Sequence, residues 1–131
     1  MSCIIDLLTD MVKVSNKFNV NITGNLNSSK TLLFSHGYGC NQAMWRFIVP
    51  EFEQDYRIVL YDLAGCGLSE IKPFDFNKYA ELEGYARDVI DIVNDNIKGD
   101  AIFIGHSVSS MIGLLAERMQ PGLFSKLVLV A

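Results

Sequence analysis

Short runs of apolar residues recur along the chain without alternating with polar ones. They lie at 31–34, 57–61, 101–104 and 126–130. Strands that are covered on both faces have this pattern, which is typical of parallel sheets. The segment Asn19–Thr23 does alternate, and a turn-rich stretch follows it. We therefore expect it to form an outer antiparallel strand.

The segments between these runs carry apolar residues at helical spacing. Residues 79–97 are apolar on one face and largely acidic on the other, and residues 108–119 repeat the pattern. A shorter helix around Met44 and Trp45 is expected to end near Pro50. This alternation of strand and helix predicts an α/β fold with a mostly parallel sheet flanked by helices. Residues 1–18 are ambiguous, and residues 19–131 are expected to form one domain or part of one.

Composition narrows the range of functions. The net charge of −4, from 11 Lys plus Arg against 15 Asp plus Glu, gives no basic face, so nucleic acid is not expected as a partner. The apolar start lacks the basic region of a signal peptide, and no apolar run is long enough to span a membrane. Three scattered cysteines predict free thiols in the cytoplasm rather than disulfides or a metal site. No cofactor is expected.

The stretch "FIGHSVSSMIG" is the strongest candidate for chemistry. A strand-like run stops at Gly105-His106-Ser107 and a helix-like run follows, which is the setting of a nucleophile elbow. Such a turn exposes the serine hydroxyl beside the N–H of Val108 and the helix N-terminus. The strict motif G-x-S-x-G fails at one position, because Ser109 replaces the last glycine. The alternative is that Ser107 only caps the helix.

The loop "HGYG", which follows the 31–34 run, supplies a second donor in hydrolases of this type. Its glycines let the backbone turn sharply and expose the N–H of Tyr38. An ordinary glycine-rich turn is one alternative. A dinucleotide-binding module is another, with Asp62 as the ribose-binding acid. In that module the third glycine of the fingerprint would fall at Gln42, which leaves the match weak.

The motifs "HGYGCNQAMW", "YDLAGCGLSE", "ELEGYARDV" and "GHSVSSMIGLLAERMQPGLFSKLVLV" together resemble RsbQ-type α/β-hydrolases. That group includes the bacterial sigma-B regulator and the plant strigolactone and karrikin receptors. The resemblance implies Ser107 as nucleophile and the N–H groups of Tyr38 and Val108 as oxyanion-hole donors, with Gly37 and His106 as pocket neighbours. It implies a hydrophobic pocket for a small ester or lactone. A small-ligand receptor with little turnover and a signalling protein as partner is the alternative.

A serine nucleophile needs a base and an acid that orients it, which follow the serine along the chain in this fold. The resemblance puts both after Ala131, together with the lid and the last strands. His106 adjoins Ser107 within the turn, the resemblance implies a structural role for His36, and Asp62 has no positioned imidazole, so all three are poor substitutes. We therefore expect the N-terminal part of an α/β-hydrolase fold that is catalytically incompetent by itself. The run 126–130 would then form an exposed apolar edge that is prone to association.

Overall fold

The computed structural model describes residues 17–69 and 73–131, which form a sheet covered on both faces. The strands are β1 (Asn21–Gly24), β2 (Lys30–Ser35), β3 (Arg57–Leu60), β4 (Asp100–His106) and β5 (Lys126–Val130). Their order is β1-β3-β2-β4-β5. β1 pairs antiparallel with β3, and the other pairs are parallel. The predicted mostly parallel sheet and its antiparallel outer strand are confirmed. The prediction for residues 1–18 lies almost wholly outside the described residues.

Two helices pack on one face of the sheet, α1 (Leu82–Asn96) and α2 (Val108–Met119). Both have the predicted amphipathic pattern, and their apolar faces join one core with alternate residues of the central strands. The buried members of that core include Leu33, Val59, Phe103, Val89, Ile92, Ile112 and Ala116. On the opposite face, a second core contains Leu32, Phe34, Trp45, Val49 and Ile58. Both faces of β2 are therefore buried, as its unbroken apolar run predicts.

The connection between β2 and β3 differs from the prediction. The structure has two short 3-10 turns there, Gln42–Trp45 and Val49–Glu51, in place of one helix. Pro50 lies in the first turn of the second element and does not end the first one. Proline is accommodated at such a position because its missing N–H would have no partner inside the helix.

The predicted helix over 79–97 is divided by a break at Glu81, whose backbone is extended. A 3-10 turn, Lys78–Ala80, precedes the break. Asp88 of α1 accounts for this arrangement, because its carboxylate accepts bonds from Lys78 Nζ at 2.6 Å and Tyr79 Oη at 2.8 Å. The pattern placed Asp88 on the polar face, but it is buried. A buried carboxylate needs such partners, and they hold the 3-10 turn against α1.

β5 lies at the edge of the sheet, and its side chains are mostly exposed. Val128, Leu129 and Val130 are each at least 40% exposed. The apolar edge expected from the sequence is therefore present. In residues 17–69 and 73–131, no helix has both the length and the apolar character needed to cross a membrane.

Candidate active site

The turn between β4 and α2 consists of a single residue, Ser107. β4 ends at His106 and α2 begins at Val108. Ser107 has φ 55° and ψ −120°, which lies outside the regions that are sterically open to an L-residue. Its side chain is exposed, and it makes no capping hydrogen bond to α2. The alternative in which Ser107 only caps the helix therefore lacks its defining hydrogen bond.

Close packing beneath Ser107 explains the glycine two residues before it. A Cβ on Gly105 would lie 2.7 Å from Cε1 of Phe103 and 2.8 Å from the carbonyl carbon and oxygen of Ser109. The Ser109 atoms are backbone, so they cannot move without shifting α2. Ser109 itself is fully buried. The fold thus needs glycine before the turn but accommodates a small hydroxyl side chain after it.

The glycine-rich loop that follows β2 lies directly against this turn. A Cβ on Gly37 would come within 2.6 Å of Nδ1 of His106. Tyr38 is 90% exposed, and Gly39 has φ 72°, which favours glycine. The structure therefore places the segment of Tyr38 next to the segment of Val108. As the first residue of α2, Val108 has no partner for its N–H within the helix.

His36 connects this loop to the segment after β3. The N–H of Leu63 donates to its Nε2 at 3.0 Å. The ring proton must then be on Nδ1, which donates to the Gly37 carbonyl at 2.8 Å. Burial lowers the pKa of His36, against the opposing effects of the Gly37 bond and of Asp62. A neutral, buried ring with both nitrogens occupied holds the loop in place and is not available as a base for Ser107.

Asp62 performs a similar structural task. Its buried carboxylate accepts bonds from Nδ2 of Asn19 and the N–H groups of Gln42 and Leu68, at 2.9, 2.9 and 3.0 Å. Burial acts to raise the pKa of Asp62, but these bonds outweigh it and leave the pKa below its usual value. A carboxylate committed to three donors of its own chain is not free to bind a ribose. Asp62 is therefore not available as the ribose-binding acid that a dinucleotide-binding module would need.

An apolar cavity of about 620 Å³ adjoins the two segments. Tyr38 and Val108 both line it, so both segments that carry the expected oxyanion-hole donors reach its surface. The other large lining side chains are apolar or aromatic: Leu63, Phe74, Phe76, Leu82, Tyr85 and Ile112. Such a cavity suits a small hydrophobic molecule.

The expected pocket neighbours Gly37 and His106 do not line that cavity. Gly37 instead packs against the ring of His106, so closely that a Cβ on Gly37 would overlap it. Ser107 itself lines a separate, more open depression of about 450 Å³ with Ser110, Met111 and Leu129. Over the part of the chain that the structure describes, no group of three or more His, Cys, Asp or Glu side chains could hold a metal ion.

Residues 32–131 match the sequence profile of the alpha/beta hydrolase family. The chain belongs to that family. Karrikin insensitive 2 receptor CA from Petunia hybrida is 42% identical over 118 residues, which cover 90% of this chain and 43% of that receptor. Strigolactone esterase RMS3 from Pisum sativum is 38% identical over 113 residues, which cover 86% of this chain and 42% of that esterase. A solved hydrolase from Oleispira antarctica superposes with a TM-score of 0.84 at 37% identity, over 91% of this chain and 43% of that one.

These comparisons confirm the alpha/beta hydrolase fold and the resemblance to the group that contains the plant receptors. This alpha/beta hydrolase chain spans less than half the length of the relatives it matches. Two features of the site were not found from the sequence, namely the bonds of Asp62 and the complete burial of Ser109. The glycines on either side of Cys66 are a sequence signal for the bonds of Asp62, since a Cβ on Gly67 would overlap the Asp62 carboxylate.

Proposed function

We propose that this family member is a serine hydrolase that cleaves a small hydrophobic ester or lactone through Ser107. The observation that carries the proposal is the strained, exposed, uncapped conformation of Ser107 between β4 and α2. Strain of this kind persists where the surrounding structure enforces it, and it concentrates at functional sites. The adjacent apolar cavity supports a substrate with little polar surface.

In the proposed reaction, Oγ of Ser107 attacks the carbonyl carbon of the ester while a base takes the hydroxyl proton. The carbonyl oxygen becomes negative and accepts hydrogen bonds from the N–H groups of Tyr38 and Val108. Collapse of this intermediate expels the alcohol, to which the base returns the proton, and leaves the acyl group on Ser107. Water, activated by the same base, then releases the acid. Each step proceeds without a cofactor.

The base and its acid are the parts that these residues do not supply. Of the two histidines in the sequence, His36 has both nitrogens occupied. His106 precedes Ser107 directly and packs against Gly37. We therefore propose that the histidine and acid of the triad come from outside these 131 residues.

The free thiols of Cys40 and Cys66 support a location in the reducing cytoplasm.

A receptor role is the second candidate. It is favoured by the 42% identity to a protein named as a karrikin insensitive 2 receptor. In this case the same cavity would bind a small hydrophobic ligand, and a signalling protein would recognise the occupied state. Both candidates use the same cavity and the same serine, and they differ in turnover.

Pre-steady-state hydrolysis of an aryl ester tests the proposal. It requires a protein that contains these residues together with the histidine and acid of the triad. We expect a burst of phenol equal to the enzyme concentration, its loss in Ser107→Ala, and its retention in Ser125→Ala, which removes a hydroxyl bonded to the Ala101 carbonyl at the other end of β4. A burst that survives in Ser107→Ala would show that another residue is the nucleophile. A full burst followed by almost no steady-state turnover would favour the receptor.

A further inference from the structure

A chain of buried hydroxyl groups runs beneath the candidate active site. Oη of Tyr61 lies 2.5 Å from Oγ of Ser35, and Oγ of Ser35 lies 2.7 Å from Oγ of Ser109. Oγ of Ser109 lies 2.5 Å from the carbonyl oxygen of His36. All four residues are at most 1% exposed. Groups this deeply buried rely on one another for hydrogen bonds.

Only one arrangement of protons satisfies this hydroxyl chain. The His36 carbonyl can only accept, so Ser109 must donate to it. Ser109 then accepts from Ser35, and Ser35 in turn accepts from Tyr61. Burial raises the pKa of Tyr61, so its hydroxyl keeps the proton that it donates. Hydrogen bonds aligned in one direction strengthen each other in a medium of low dielectric constant.

The last bond of the chain joins the two segments of the proposed oxyanion hole. Ser109 follows Val108 in the first turn of α2, and His36 lies two residues before Tyr38. A glycine at position 109, as the strict motif has, would leave the His36 carbonyl without this donor. Ser109, where the motif has glycine, therefore adds a hydrogen bond between the two segments that a glycine could not make.

We propose that Ser109 is a positioning residue whose hydroxyl, supported by Ser35 and Tyr61, fixes the N–H of Tyr38 relative to the N–H of Val108. This inference rests on the proposed function, in which both groups stabilise the same oxygen. Small displacements at such a site are costly, since a shift of about 1 Å can lower the rate about 100-fold. Ser109 touches neither the substrate nor the reacting atoms, so its effect acts through the two N–H groups.

Two backbone amides report on the position of the loop without any need for catalysis. The N–H of Cys40 donates to the Gly37 carbonyl at 3.2 Å, and the N–H of Leu63 donates to Nε2 of His36 at 3.0 Å. We expect hydrogen exchange at both amides to be about tenfold faster in Ser109→Ala and Ser109→Gly, as loss of one buried hydrogen bond would allow. The N–H of Ile97, bonded to Val93 at 2.9 Å, serves as a distant reference that corrects for global stability.

Ser110→Ala is the matched control, because Oγ of Ser110 bonds to the Gly105 carbonyl at 3.0 Å and not to the loop. Removal of the Ser110 hydroxyl should leave the rates of hydrogen exchange at the Cys40 and Leu63 amides unchanged. The effect should decrease along the hydroxyl chain, from Ser109→Ala to Ser35→Ala to Tyr61→Phe. Unchanged exchange in both Ser109 variants, or an equal change in Ser110→Ala, would overturn the proposal.

Kinetics with an aryl ester, measured in a protein that contains these residues and a complete triad, then separate positioning from simple destabilisation. We expect Ser109→Ala to lower kcat about tenfold or more while KM changes less than about twofold, since only the developing charge loses stabilisation. An unchanged kcat together with a raised KM would contradict the positioning role. If Ser107→Ala remains active, the proposed function fails, but the exchange measurement still decides whether Ser109 holds the loop.

Discussion

The backbone strain at Ser107 yields a sharp prediction for stability. A non-glycine residue at φ 55° and ψ −120° costs about 1–3 kcal/mol. Ser107→Gly removes that cost, but the greater conformational freedom of glycine in the unfolded chain reduces the gain in stability by about 0.5–1 kcal/mol. The exposed, uncapped hydroxyl contributes little to folding. We therefore expect Ser107→Gly to raise the free energy of unfolding by about 1 kcal/mol, or the Tm by about 4 °C.

Ser107→Ala is the matched control for this measurement, since it removes the hydroxyl but keeps the Cβ that causes the strain. We expect its stability to lie within about 0.5 kcal/mol of the native protein. Urea unfolding can be followed through the fluorescence of the single tryptophan, Trp45, which is buried against Phe34. If the glycine variant is no more stable than the alanine variant, the backbone at Ser107 is not strained, and the main support for a nucleophile elbow is lost.

Three further predictions concern the surroundings of the site. Gly105→Ala should lower the unfolding free energy by about 1–3 kcal/mol in urea titrations, because its methyl would overlap the backbone of Ser109; an undiminished midpoint would contradict this packing. Asp62→Asn should lower the free energy of unfolding by about 2 kcal/mol at pH 7, which is the usual contribution of a hydrogen-bonded charge. Since the folded pKa of Asp62 is lowered, its contribution is complete above about pH 4 and is lost as the pH falls through the folded pKa, so the variant should have a flatter acid unfolding curve; equal curves would refute the role of Asp62. The 131-residue chain alone should give no burst with an aryl ester, and a burst equal to its concentration would show that His36 or His106 can serve as the base.

The regular elements were predictable because their residues repeat with the period of the structure. β2 is buried on both faces and has an unbroken apolar run, and α2 has the bounds that its apolar spacing predicts. The order of the strands in the sheet required the structure, since short apolar runs do not specify their neighbours. The sequence predicts one helix where the structure has two 3-10 turns around Pro50, because a few apolar residues fit either conformation.

The polar interior was much less predictable, because a buried hydrogen bond has no periodic signal in the sequence. Asp88 falls on the acidic side of α1 by spacing, and its bonds to Tyr79 and Lys78 make its burial favourable. Ser109 looked like a tolerated replacement of glycine, whereas it donates to a carbonyl that is 73 positions earlier in the chain. Ser107 can be identified from the sequence because the chemistry of a strand-to-helix turn is local. Its backbone strain can be seen only in the structure.

If Ser107 is the nucleophile, it carries the acyl group during turnover, and peptide mapping can locate that group. A protein that contains these residues and a complete triad would be mixed with an aryl ester, stopped in acid at the end of the burst, digested and mapped by mass spectrometry. We expect one acyl group on the peptide that contains Ser107, and none in the Ser107→Ala protein. An acyl group on any other residue, or its undiminished accumulation in Ser107→Ala, would show that Ser107 is not the nucleophile.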